Sequence, residues 1–204
     1  MAKSSGGTRD AKTGLKPGDF NFKGKVENIE SLSKIRDPSV YREVKSAISR
    51  YHAVMGVRQR NVKLADLGGQ AFGAHLTMNG VSNAVYLDKG YYNMSKSGVT
   101  NLKREFYKSG WATKTNKPVA HTVTHELAHA TWNSALSGRR QKLAGKEIRS
   151  LYKSWMRDKR KTGYGRYAET NVNEFWAETV TKAIHGKADK YTTAVKSIAK
   201  KYKL

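Results

Sequence analysis

The chain has 204 residues, enough for one domain with a real core, and its 39 Lys or Arg against 16 Asp or Glu give a net charge of +23. That excess predicts attraction to nucleic acid or other polyanions whatever else the chain does. It has no cysteine, which excludes disulfides and thiolate metal sites, and its apolar runs are too short for a membrane span or a secretory signal.

Residues 1–24 are mostly Gly, Lys, Ser and Thr and read as a flexible basic arm, with residues 25–204 as a single domain. Helical signals begin near Val26 and sharpen at Asp37-Pro38, a cap followed by proline at the first helical position. Val40, Tyr41, Val44, Ala47, Ile48, Tyr51 and Val54 keep helical spacing as far as Gly56, so a core-facing helix is expected. Residues 57–67 read as one strand. Residues 74–78 and 81–87, joined by Asn79-Gly80, read as a hairpin with a type I′ turn. Residues 84–87 are taken as an edge strand open to an extended substrate. His52 and His75 are read as structural. Residues 88–117 carry aromatic and basic groups with Gly90, Gly98 and Gly110, and read as a loop region with one short helix near 101–108.

Pro118 opens the next helix, on which Val119, Val123, Leu127 and Ala130 recur on one side. It carries His125-Glu126-Leu127-Ala128-His129. Residues four apart share a helix face, so His125 and His129 offer two imidazoles to one divalent ion. Glu126 is displaced by one position, placed to act on water as a general base without ligating. His121 and His129 are about 12 Å apart along a helix axis, too far to share one ion, so His121 is read as a rim residue.

Residues 138–166 hold eleven Lys or Arg against two acids, while Ile148, Leu151, Tyr152, Trp155 and Met156 keep helical spacing. That combination predicts a helix with one buried side and a cationic outer face. The run from Asp189 is helical by Tyr191, Ala194, Val195 and Ile198, and ends in a basic tail. Between these two helices Asn171 reads as an N-cap, which sets Glu174 and Glu178 one turn apart on one face. Two like charges so placed repel unless a cation lies beside them. Glu174 is therefore taken as a third zinc ligand, completing a His-His-Glu set with one open position. Glu178 is expected to accept a hydrogen bond from a ligand histidine and orient its ring.

The pair of segments, His125-Glu126-x-x-His129 and Tyr167-Ala-Glu-Thr-Asn171-Val-Asn-Glu174-Phe-Trp-Ala-Glu178, resembles the catalytic domain of anthrax lethal factor and related gluzincin metallopeptidases, including phage and mobile-element relatives. That family has Tyr-Gly-x-Thr-Asn-x-x-Glu-Phe-Phe-Ala-Glu in the second block; Ala168 and Trp176 are departures here. The resemblance covers about thirty residues and implies an α+β zincin-like domain with a small mixed sheet, a His-Glu-x-x-His helix and a following Glu-bearing helix. It also implies zinc bound by His125, His129 and Glu174, Glu126 as general base, Glu178 behind the ligands, and Tyr167 assisting the oxyanion. Tyr164, three residues earlier, competes for that last role. The expected activity is zinc-dependent endopeptidase cleavage of a protein or peptide, in a cytoplasmic or virion-associated setting. Non-specific nucleic-acid binding through the basic segments and no membrane partner are also expected. Two rivals stand beside it: a basic nucleic-acid-associated or virion structural protein with a zinc site and little turnover, and a metal hydrolase of another bond.

Overall fold

A computed structural model describes residues 25–56, 61–78, 81–134, 139–158 and 163–204. The expected arm at 1–24 and the Asn79-Gly80 turn lie outside these. The described residues form an α+β fold of seven α-helices and a four-stranded mixed sheet. The strands are β1 (Glu27–Glu30), β2 (Val62–Asp66), β3 (Gly73–Met78) and β4 (Val81–Asp88), in the spatial order β1-β2-β4-β3. β1 pairs antiparallel with β2, β2 parallel with β4, and β4 antiparallel with β3. Two expectations fail here. Residues 27–30 are a strand and not the start of a helix: three of the four are exposed, so no apolar period marks the strand, and pairing with β2 decides it. Residues 84–87 sit in an interior strand, with β3 at the edge. A hairpin defines one neighbour only, and the second side of β4 is taken by β2 from far along the chain.

Helix α1 (Pro38–Met55) begins as expected: the Asp37 carboxylate accepts from the backbone N–H of Ser39 and Val40, and Gly56 closes the helix in the left-handed region at φ 66°. Its buried side is Val40, Val44, Ala47, Ile48, Tyr51 and Met55, with Val54 largely exposed instead. The stretch after β4 holds more helix than one short piece. Asp88 caps α2 (Lys89–Tyr92), and Ser95 caps α3 (Lys96–Lys108), which starts five residues before the expected position with Gly98 inside its first turn. A capping hydroxyl outweighs the roughly 1 kcal/mol that a glycine costs in a helix.

Helix α4 (Pro118–Ser134) packs against β3, β4, α1, α3 and α6 (Val172–His185). Every residue from Val119 to Trp132 is buried, so the one-sided period read from the sequence understates its position. Small side chains at Ala120, Thr122, Thr124, Ala128, Ala130 and Thr131 let neighbours approach from all sides. The threonine hydroxyls are satisfied across those contacts: Thr131 with Tyr51, Thr124 with His185 at 2.8 Å, Thr122 with Lys103 at 3.3 Å. α5 (Arg139–Arg157) buries Ile148 and Trp155, and α7 (Lys190–Tyr202) starts with a capping box between Asp189 and Thr192. Among the described residues no helix is long and apolar enough to cross a membrane.

Candidate metal centre

α4 and α6 lie side by side, tied by the Trp176 indole N–H, which donates to the Ala128 carbonyl at 3.0 Å. That contact sets the register between the two motifs. Asn171 caps α6 through the backbone N–H of Asn173 and Glu174, and the Glu174 side chain turns away from its own cap towards α4. His125 Nε2, His129 Nε2 and Glu174 Oε2 then form a nearly equilateral triangle, with sides of 3.0, 3.1 and 3.2 Å. A tetrahedral ion with bonds of about 2.0–2.1 Å holds its ligand atoms about 3.3 Å apart. The triangle thus fits a metal ion, and the donor set is of the two-histidine, one-carboxylate kind.

Behind the triangle lies a chain of polar groups. Glu178 accepts the Thr113 backbone N–H at 2.7 Å and the His121 Nε2–H at 3.2 Å, and lies 3.0 Å from His125 Nδ1 in a bent contact. His121 Nδ1 is in turn 3.2 Å from the Tyr107 hydroxyl, itself 2.8 Å from Thr115. His121 is therefore not on the rim but buried, one layer behind a candidate ligand. Burial, with the Lys103 charge adding to it, pushes the His121 imidazolium down to about 3, so the ring is neutral with one proton to place. Donating that proton to Glu178 leaves Nδ1 to accept from Tyr107, and the chain is consistent from end to end. His121, His125 and Glu178 form a second group that could hold a metal.

Charge is concentrated at the triangle. Burial opposes ionisation of both partners, yet His129 and His125 hold Glu174 down at about 2. Burial likewise disfavours the His125 imidazolium, but Glu174 and Glu178 lift it to about 10. A cation at the triangle takes the place of the proton on His125 Nε2.

Glu126 is fully buried beside this group, and neither of its carboxylate oxygens has a hydrogen-bond partner among the described residues. Burial raises its pKa, against the pull of His125 and His129. The edge strand β3 presses on it: a Cβ at Gly73 would come within 2.9 Å of Glu126 Cγ and 3.0 Å of Thr122 Cγ2. Tyr167, in a 3-10 turn at Arg166–Glu169, stacks on the His125 ring at 5.7 Å between centroids and is 8% exposed. Tyr164 is elsewhere, its hydroxyl donating to Asp189 at 3.3 Å and its ring under Lys182. Geometry separates the two tyrosines that the sequence left as rivals.

One close approach delivers both Tyr167 and Thr113. Arg166 and Tyr167 donate backbone N–H to the carbonyls of Gly110 and Trp111, at 2.9 and 3.0 Å, and Gly165 donates to Thr113 Oγ1 at 3.1 Å. A Cβ at Gly165 would sit 2.3 Å from the Ala112 carbonyl carbon, so only glycine fits.

The six residues expected at the site, His125, Glu126, His129, Tyr167, Glu174 and Glu178, come together here. The sequence reading placed His121 on the rim and did not single out Thr113, Lys103 or the two glycines. His121 alone carried a signal, lying four residues before His125 on the same helix face. The others arrive by contacts distant in sequence. His52 and His75 are in neither group that could hold a metal. Compared with family models, with curated proteins and with solved structures, the chain matches none of them.

Proposed function

We propose that the protein is a zinc-dependent metallopeptidase of the gluzincin kind, on a zincin-like domain. The observation that carries this reading is the triangle of His125, His129 and Glu174 beside a buried carboxylate, Glu126, whose oxygens have no partner. Zinc at the triangle would supply Lewis acidity to the attacking water and to the scissile carbonyl. Glu126 takes the proton from that water and passes it to the leaving amine. Tyr167, against the His125 ring, donates its hydroxyl to the developing oxyanion. Glu178 lies 3.0 Å from His125 Nδ1, placed to orient that ring, and is itself held by Thr113 and His121. β3, the edge strand among the described residues and beside Glu126, takes over the substrate-pairing role first given to residues 84–87.

A second reading is favoured by the near-complete burial of Glu126, at 0% exposure: a basic, nucleic-acid-associated or virion structural protein whose zinc is a structural clamp. One experiment decides. Purified protein is assayed for bound zinc by elemental analysis and for cleavage of a denatured protein mixture, with and without chelator. About one zinc per chain and chelator-sensitive cleavage are expected, and Glu126→Gln should keep the zinc and lose turnover by roughly three or more orders of magnitude. Zinc bound with no cleavage by the parent protein would favour the structural clamp. Absence of zinc would remove both readings.

A further inference from the structure

A cleft of about 280 Å³ opens where α1, the start of α3, the start of α4 and the end of α6 meet. Its walls carry Arg42, Arg50, Lys96 and Lys117 against a single acid, Glu43. Arg42 and Arg50, eight residues apart on α1, lie on one helix face. Glu43 is engaged by Lys96 at 3.5 Å, while Arg50 and Lys117 have no acidic partner among the described residues. The positive end of α4 adds to the same field, since Lys117 and Ala120 both line the cleft.

Unlike an ordinary cationic surface, the cleft has a built polar group in its wall. His185 is 93% buried by its 7% exposure, its Nε2 is 2.8 Å from Thr124 Oγ1, and its Nδ1 has no hydrogen-bond partner. Burial first, then Arg50 and Lys117, push its imidazolium down to about 4, so the ring is neutral and both cations bear on it. In the tautomer in which Thr124 donates to Nε2, the ring proton sits on Nδ1, a donor without an acceptor among the described residues.

We propose that this cleft is a phosphoryl-anion site, in which Arg42 and Arg50 of α1 and Lys117 beside the start of α4 supply the charge and His185 Nδ1–H donates from the wall. A phosphoryl group is favoured over a carboxylate because its several oxygens satisfy donors from different directions at once, whereas a carboxylate offers two. The volume leaves room for the remainder of a phosphodiester or a phosphorylated small molecule. Its residues are distinct from those of the candidate metal centre and from the three basic segments noted in the sequence.

The test uses the full-length, zinc-loaded protein and inorganic phosphate, followed by backbone amide NMR at low ionic strength. Saturable shifts are expected at residues 46–50, 117, 119 and 120. Arg50→Gln with Lys117→Gln should weaken them about tenfold or more, as two charge-assisted contacts are lost. A control pair, Lys200→Gln with Lys203→Gln, removes the same net charge from the C-terminal helix and should change affinity by less than about twofold. A fluorescent DNA duplex separates the sources of the anion. DNA binding that falls in the cleft variant and is competed by phosphate assigns the site to a nucleic-acid backbone. DNA binding that is unchanged while phosphate binding falls assigns it to a phosphorylated small molecule. Absence of shifts at those amides, or an equal loss in the control pair, would overturn the proposal.

Discussion

Replacing Glu178 by Gln tests whether the polar chain behind the metal centre orients His125. The carboxylate faces three N–H groups: Thr113 N at 2.7 Å on Oε2, and His121 Nε2 and His125 Nδ1 at 3.2 and 3.0 Å on Oε1. Glutamine has one acceptor oxygen and an amide that only donates. If the oxygen takes the place of Oε1, the amide confronts the Thr113 N–H, donor against donor, at a position 1% exposed. If it takes the place of Oε2, the amide faces both rings, and His125 must give up its Nδ1 proton. Its remaining proton then sits on Nε2, the nitrogen a metal needs. The first arrangement leaves a buried donor unsatisfied, at about 1–3 kcal/mol of stability. The second weakens metal binding directly. Zinc affinity is expected to fall about 10–100-fold, or about 1.4–2.7 kcal/mol. The assay is competition for zinc against a chromogenic chelator, with near-UV circular dichroism as the check on fold. Affinity within about twofold of the parent in a folded variant would refute the orienting role of Glu178.

Lys103 is buried with its ammonium 3.3 Å from Thr122 Oγ1, and burial, opposed by Glu178 and Glu126, holds it down at about 8 against an ordinary 10.5. The unfolded chain thus binds that proton more tightly, and the contribution of Lys103 to stability rises as pH climbs from about 8 towards 10.5, by about 3 kcal/mol. Lys103→Met should be more stable than the parent by about 2 kcal/mol at pH 7, after loss of the Thr122 hydrogen bond, with the gap closing at higher pH; urea unfolding at several pH values reads it, and a gap independent of pH would count against it. Gly165→Ala should cost about 2–3 kcal/mol and lower Tm, because its Cβ meets backbone and not a movable side chain. Tyr167→Phe should lower kcat by roughly 10²–10³-fold with zinc retained, whereas Tyr164→Phe should leave kcat near that of the parent and cost stability through lost contact with Asp189. The reverse outcome in peptidase assays would exchange the two roles.

Local chemistry made much of this protein legible in one dimension. Asp37, Pro38 and Gly56 bound α1 because capping and φ preferences act within a few residues, and Asn171 does the same for α6. The spacing of His125 and His129, and of Glu174 and Glu178, follows from the helical repeat alone, so the faces they share needed no tertiary information. Where the strand expectations failed, the missing quantity was non-local. β1 lacks an apolar period and exists because β2 offers it a partner, and β4 is interior because β2 pairs with the side that the hairpin leaves open. α3 begins at Lys96 through the Ser95 cap, which Gly98 masks to a reader of propensities.

The site divides in the same way. Five of its six expected residues were readable as two helical motifs and Tyr167 was implied by the resemblance, but their meeting depends on the register of α4 against α6, fixed in part by Trp176 on the Ala128 carbonyl. The choice of Tyr167 over Tyr164 depends on the backbone clamp at Gly165, and the burial of His121 on Glu178, Tyr107 and the helices around α4. The cleft of Arg42, Arg50, Lys117 and His185 was invisible in the sequence, since its members come from α1, the start of α4 and the end of α6 and none is a motif. Periodicity and capping act over one or two turns, and a sequence exposes them. The packing of elements distant along the chain acts through shape and hydrogen-bond partners, and only the folded chain brings those together.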